Sequence, residues 1–249
     1  LSGPLIILTG LIMNDLSESA ELFYFASALT LSTWGVVLFY RFPESRIIGK
    51  WAKIKKGETS DILFRRLIGI FIYGILPFLI LLPSGNKSLA DFGINPPTLE
   101  TFIWTILLSV IILPLNYFNS FKAENLQKYP QIRESGWSFS LLAISCLSWM
   151  AYLFSFEFLF RGFLFFASIP LFGLGLSIIL NTIIYSLAHL PKGFKETIGA
   201  IPFGILLCYL TYRTNSIWIA VFSHIVLALS CEWFSIRAHP QMFLTIKLK

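Results

Sequence analysis

The feature that most constrains this chain is a series of apolar stretches, each about 18 or more residues long and nearly free of charge. At about 1.5 Å per residue, such a stretch crosses a hydrocarbon core of roughly 30 Å as a helix. Lipid offers the backbone no hydrogen-bond partners, so a crossing segment must satisfy its own N–H and C=O groups. The expectation is an all-α, polytopic transmembrane helix bundle of about seven spans. They fall at 22–40, 63–82, 100–118, 138–168, 172–189, 195–212 and 215–235. Composition agrees: of 249 residues 56% are hydrophobic and only 13% charged, with a mean hydropathy of +0.74, outside the range of a soluble domain.

A net charge of +6 raises the question of nucleic acid, but the positives sit in short loops between apolar segments. Arg41, Arg46, Lys50, Lys53, Lys55 and Lys56 follow the first span, with Arg65 and Arg66 just inside the second. Lys122, Lys128 and Arg133, then Lys192 and Lys195, then Arg237, Lys247 and Lys249 mark alternate connections. The intervening connections hold Lys87, no basic residue, and Arg213. Basic loops stay on the cytoplasmic side, which puts the N-terminus outside and the C-terminus in the cytoplasm of a multi-pass protein of the bacterial inner-membrane kind. The partners expected are the bilayer and a membrane-associated substrate, with no nucleic acid.

Cys146, Cys208 and Cys231 fall within expected spans and form neither a CxxC pair nor a metal-ligand spacing. The first apolar run, Pro4 to Met13, is too short to span and lacks the basic start of a signal peptide. It reads as an interfacial piece or as the remnant of a longer N-terminus. The span 138–168 is long, about 46 Å as straight helix, so it must tilt, kink or start outside the lipid. The connection from Ile80 to Leu99 is rich in turn residues.

Ionisable groups inside the apolar spans are where chemistry is sought. Glu157 and Arg161 are four residues apart, so they share a helix face and can pair. Gly162 beside them lets another backbone approach. His189 closes its span before Leu190-Pro191-Lys192-Gly193, whereas His224 lies deep within the last span. Glu196 opens the following helix, and Glu232, two turns below His224, reads as an interfacial carboxylate. Together these groups suit water activation, with an acid or imidazole taking the proton and donors holding an oxyanion. His189, His224 and Glu157 are equally a possible Zn²⁺ ligand set. Their spacing is not HExxH, so zinc is possible and not required.

Glu157-Phe-Leu-Phe-Arg161-Gly162, Tyr185-Ser-Leu-Ala-His189 and His224 resemble the three motifs of the CPBP family of intramembrane proteases, which includes the CAAX prenyl endopeptidases and bacteriocin-immunity (Abi) proteins. The likeness covers roughly Trp137 to Phe234. The family's first motif usually has two adjacent glutamates; here Phe156 stands in place of the first, generally considered the water-activating one. Ala228 stands where the third motif usually has Asn or Asp. The chain is similar to a branch with a single Glu in the first motif and extra acids after the later ones, here Glu196 and Glu232.

The resemblance implies an intramembrane endopeptidase, glutamic or metallo in type, acting on a membrane-associated or lipidated protein. Its catalytic residues would be Glu157, Arg161, His189, His224 and Glu196. The alternative is a catalytically impaired immunity or binding protein on the same scaffold. A proton-coupled transporter is less favoured, because no internal repeat or pair of broken helices is visible. On this reading 1–21 is an external or interfacial segment and 22–136 an N-terminal set of transmembrane helices. Residues 137–235 form the catalytic helical core and 236–249 a cytoplasmic tail.

Overall fold

The computed structural model describes residues 3–41, 59–82 and 87–245, with side chains from residue 18 onward. Among these, 6 helical stretches are long and apolar enough to cross a membrane. The first helix, α1 (Gly3–Arg41), carries the run Pro4 to Met13 in unbroken continuity with the first span. Next come α2 (Thr59–Leu81) and α3 (Leu99–Ser120). Short α4 (Ala123–Lys128) leads to α5 (Phe139–Glu157). A π-helical segment, Phe158–Leu164, then runs into α6 (Phe165–Ala188). The last two are α7 (Phe194–Thr214) and α8 (Trp218–Ala238).

The stretch Phe139–Lys192 is 54 residues long, about 81 Å as straight helix and more than twice the hydrocarbon thickness. It therefore holds two spans. The turn expected at 169–171 is absent: helix continues through Pro170 and breaks at Gly173, with φ 70° and ψ 171°. A side chain there would be strained by the left-handed φ, which glycine tolerates. All seven expected spans are thus helical, two of them joined by a glycine break in place of a loop.

The two ends of the bundle differ. At one end Ile217 N–H donates to Gly93 O (2.9 Å), Asn95 Nδ2 to Asn215 O (2.8 Å) and Ser216 Oγ to Asn95 O (3.0 Å), locking the connection before α3 onto the α7–α8 turn. At the other end Lys128 Nζ reaches Lys192 O (2.8 Å) and Lys195 pairs with Glu124 (2.5 Å). Lysines from separate connections therefore gather at one end, as the alternation of basic loops anticipates. Most of the first basic connection, 42–58, and the last residues, 246–249, lie outside the described residues.

The architecture is nearly all-α. Among the described residues its one departure is a parallel pair of two-residue strands, Gly136–Trp137 (β1) with Phe243–Leu244 (β2). Trp137 is buried with Ile132 and Ile236, so the segment after α8 is packed onto the bundle as far as β2. Close helix packing on the site side rests on small residues of α2. A Cβ on Gly69 would lie 2.3 Å from the Tyr152 ring, and one on Gly74 2.6 Å from Ser155 Oγ.

Candidate active site

Glu157 is the last residue of α5 and Arg161 sits in the π-helical segment that follows; both are fully buried. Single π turns inside long helices recur at functional sites, because the extra residue rotates the following side chains. Here Arg161 Nη1 lies 3.2 Å from Glu157 Oε2, and the guanidinium stacks 3.8 Å over the Tyr185 ring. Gly162 gives the close approach expected of it: an added Cβ would stand 3.0 Å from Phe92 O.

The other Glu157 oxygen, Oε1, is 2.6 Å from His224 Nδ1. A carboxylate accepts, so His224 donates through Nδ1, and in the neutral ring Nε2 carries the lone pair. His189 reaches the same state by another route. Its Nδ1 lies 2.8 Å from the Tyr185 carbonyl, which also accepts only. The two imidazoles sit with ring centres 6.4 Å apart and 26° between planes. Each spends Nδ1 on the protein and keeps a basic Nε2.

Phe156 packs edge-on against both, its ring centre 5.9 Å from each imidazole, so the three rings form a near-equilateral triangle. The position where the resemblance leads one to look for a second carboxylate is thus an aromatic ring flanking both histidines. Ala228 is buried in the main apolar core one turn beyond His224. A narrow cleft of ≈ 10 Å³, about the room of one water, is lined by both histidines, Phe156, Tyr40, Tyr73, Tyr152 and Lys192, with Leu153 and Ala188.

Glu157, Arg161, His189 and His224 therefore come together, whereas Glu196 does not join them. Glu196 meets Lys128 at 3.5 Å and accepts from Tyr129 OH at 3.4 Å, at the end where the lysines gather. That carboxylate, together with burial, raises the Tyr129 phenol well above its ordinary value, burial being the larger cause. Glu232 is buried, not interfacial: it accepts from the Gln131 backbone N–H (3.1 Å) and from Trp149 Nε1 (3.2 Å).

A catalytic zinc takes three protein ligands. Of the expected set only the two histidine Nε2 atoms are uncommitted, since both Glu157 oxygens face Arg161 and His224. Among the described residues no group of three or more His, Cys, Asp or Glu side chains is arranged to hold a metal. The residues present thus do not fit a three-ligand zinc site.

Sequence reasoning passed over several participants. Asn181, Tyr185 and His189 are four apart on one face of α6, and Asn181 Nδ2 donates to Phe160 O in the π segment (2.5 Å) while accepting from Cys208 Sγ (3.2 Å). An asparagine within an apolar span was the available signal. Tyr40, Tyr73 and Tyr152, from three different helices, had none.

A family model described as type II CAAX prenyl endopeptidase Rce1-like matches residues 136–230. Residues 136–230 carry the CAAX-protease (CPBP) family signature. The CAAX-protease match runs from β1 to just short of Glu232 and contains every residue of the histidine–glutamate–arginine cluster. With six apolar helices, it makes the chain an integral membrane protein. No curated protein and no solved structure matches the chain.

Proposed function

We propose that this CAAX-protease relative is an intramembrane endopeptidase in which His224, held by Glu157, is the general base. The supporting observation is the 2.6 Å contact between fully buried Glu157 and the Nδ1 of His224 beside an open cleft. Glu157 fixes the tautomer and stabilises the imidazolium that forms. Water gives its proton to His224 Nε2 as its oxygen bonds to the scissile carbonyl carbon, and the carbonyl electron pair moves onto oxygen. Collapse of that adduct breaks the C–N bond, and the amine leaves with the proton from His224. His189 Nε2 orients the water, and the phenols of Tyr73 and Tyr152 are the donors for the oxyanion. Arg161 is a positioning residue that keeps Glu157 ionised, and Glu196 orders the turn after α6.

The substrate is a membrane-associated, prenylated or otherwise lipidated protein, and 137–235 is the catalytic core. The basic end faces the cytoplasm of a bacterial inner membrane, with the N-terminus outside. Cysteine placed at Ala90 should be labelled from outside intact cells and cysteine placed at Lys128 protected; the opposite pattern would reverse the orientation. The second reading, an impaired immunity or binding protein, draws on Phe156 packing against both imidazoles where a carboxylate is absent.

Purified protein in proteoliposomes, given a prenylated peptide in ¹⁸O water, separates the two. Cleavage with one ¹⁸O in the new carboxylate, abolished in His189→Ala and His224→Ala, is the expected result. A parent protein that never cleaves the peptide, while all three forms support the same cellular phenotype, would favour the binding reading.

A further inference from the structure

One cation in the cleft has no part in the hydrolytic steps. Lys192 lines the same cleft as His189 and His224. It ends the 3₁₀ turn Leu190–Lys192, its N–H donates to His189 O at 2.9 Å, and its carbonyl accepts from Lys128 Nζ at 2.8 Å. The backbone of Lys192 is thereby tied to the catalytic histidine. Its neighbours are neutralised, Lys128 by Glu196 at 3.5 Å and Lys195 by Glu124 at 2.5 Å. The Lys192 ammonium has no ion-pair partner among the described residues.

A half-buried ammonium against an aromatic wall gives up hydration that only an opposing charge restores. Among the described residues the wall offers the ammonium phenols and apolar surface and no carboxylate, and Glu196, the acid whose charge acts on it, is shared with Lys128 at 3.5 Å. A partner at contact distance has to arrive with whatever fills the cleft. A helix-end lysine also stabilises the carbonyls of the last turn, but that role does not depend on the ligand's charge.

We infer that Lys192 is the recognition cation of this cleft, binding a carboxylate of the peptide substrate and so setting which bond lies against His189 and His224. This rests on the endopeptidase reading. Extended peptide covers about 3.3 Å per residue, so the anchored carboxylate lies within a few residues of the scissile bond. Two sources fit: the free C-terminus, or an acidic side chain close to the cleaved bond.

The experiment measures binding apart from cleavage. Parent protein, Lys192→Met and Lys192→Arg in nanodiscs are titrated against three fluorescent lipidated peptides. One has a free C-terminus and an acidic side chain, one is C-terminally amidated, and one has the acid replaced by its amide. Expected is a loss of affinity of about ten- to a hundredfold for the parent with one of the two neutralised peptides. Lys192→Met should lose the same amount with the unmodified peptide and no more with the neutralised one, while Lys192→Arg restores binding. Loss on amidation assigns the C-terminus, and loss on the side-chain change assigns the acid. Equal binding of all three peptides by the parent, or a Lys192→Met loss indifferent to peptide charge, overturns the inference. Charge-dependent binding with no cleavage removes the protease reading and leaves the carboxylate site standing.

Discussion

Two buried charged clusters lie within a few turns of each other in this bundle, and they are finished differently. Around Arg66 and Glu232 the polar groups are largely matched. Arg66 Nη1 donates to Ser145 O (3.0 Å) and Ser148 Oγ (2.8 Å), Nη2 donates to Gln131 Oε1 (3.3 Å), and the guanidinium sits 4.3 Å over Trp149. Glu232 receives the Gln131 backbone and the Trp149 indole in turn. Around Glu157 the carboxylate is shared between one imidazole and Arg161, whose three nitrogens make no well-aligned hydrogen bond. His189 and His224 both line the same cleft, each with Nδ1 committed to the protein. A cluster whose donors are nearly all matched, with only Arg66 Nε left without a hydrogen bond, holds helices together. One with basic nitrogens left beside a cleft is set up to act on something else.

The comparison breaks most visibly at Glu157. Glu157→Gln removes the negative charge that stabilises a protonated His224 and leaves Arg161 buried without its ionic partner. Cleavage should fall by about 10²- to 10⁴-fold, and stability by about 3–5 kcal/mol, read by a peptide assay and by thermal unfolding in detergent. Glu232→Ala should cost a similar ~3–5 kcal/mol through the unpaired Trp149 and Gln131 donors. The folded fraction should nevertheless cleave at close to the parental rate. A rate loss larger than the loss of folded protein would make the second cluster part of the chemistry.

Gly69→Ala probes what lies between the clusters, because its Cβ pushes on Tyr152, which lines the cleft and packs on both Trp149 and Phe156. Overpacking of this kind costs about 1–3 kcal/mol. A rate loss of less than about tenfold should accompany it, and unchanged unfolding would mean that Tyr152 moves freely. The smallest effect belongs to Asp91, in the connection before α3. Its carboxylate accepts from Ser88 N (2.7 Å) and Oγ (2.9 Å), and the Ser88 backbone bond is the main cause holding its carboxyl below the ordinary value. A depressed folded value means stability present above the usual carboxylate range and lost as pH falls through the folded value. On acidification the parent should lose about 0.5 kcal/mol more than Asp91→Asn, and parallel unfolding curves would remove the cap from the account.

Some of this was legible because charge inside an apolar span is conspicuous. Glu157, Arg161 and His224 stand out for that reason, and the four-residue spacing of the first two settles that they share a face. What was not legible is rotation. The spans are apolar nearly all round, so hydrophobic periodicity does not say which face of α8 turns toward α5, or that His224, and not His189, receives Glu157. The same limit hid Arg66, counted only as a topological charge, and Glu232, read as interfacial. Phe156 looked like a lost carboxylate; its packing against both imidazoles depends on how three helices meet, which no residue pattern announces. Glu196 misled because a Pro–Gly turn after His189 says that the chain reverses, not toward which neighbours, and Lys128 and Tyr129 are supplied by a distant segment. Gly173 was similarly quiet, a break two residues beyond the expected turn.

The most direct test compares His224→Gln with Glu232→Gln. Glutamine at 224 can still donate to Glu157, so the Glu157–Arg161 pair survives while the basic nitrogen is lost. Cleavage of a prenylated peptide in proteoliposomes and the unfolding midpoint are measured on the same preparations. The account predicts that His224→Gln loses about 10²- to 10⁴-fold in rate with its midpoint near the parent's, and that Glu232→Gln lowers the midpoint while the folded protein cleaves normally. Parental cleavage by His224→Gln, or a rate loss of that size in stably folded Glu232→Gln, would contradict it.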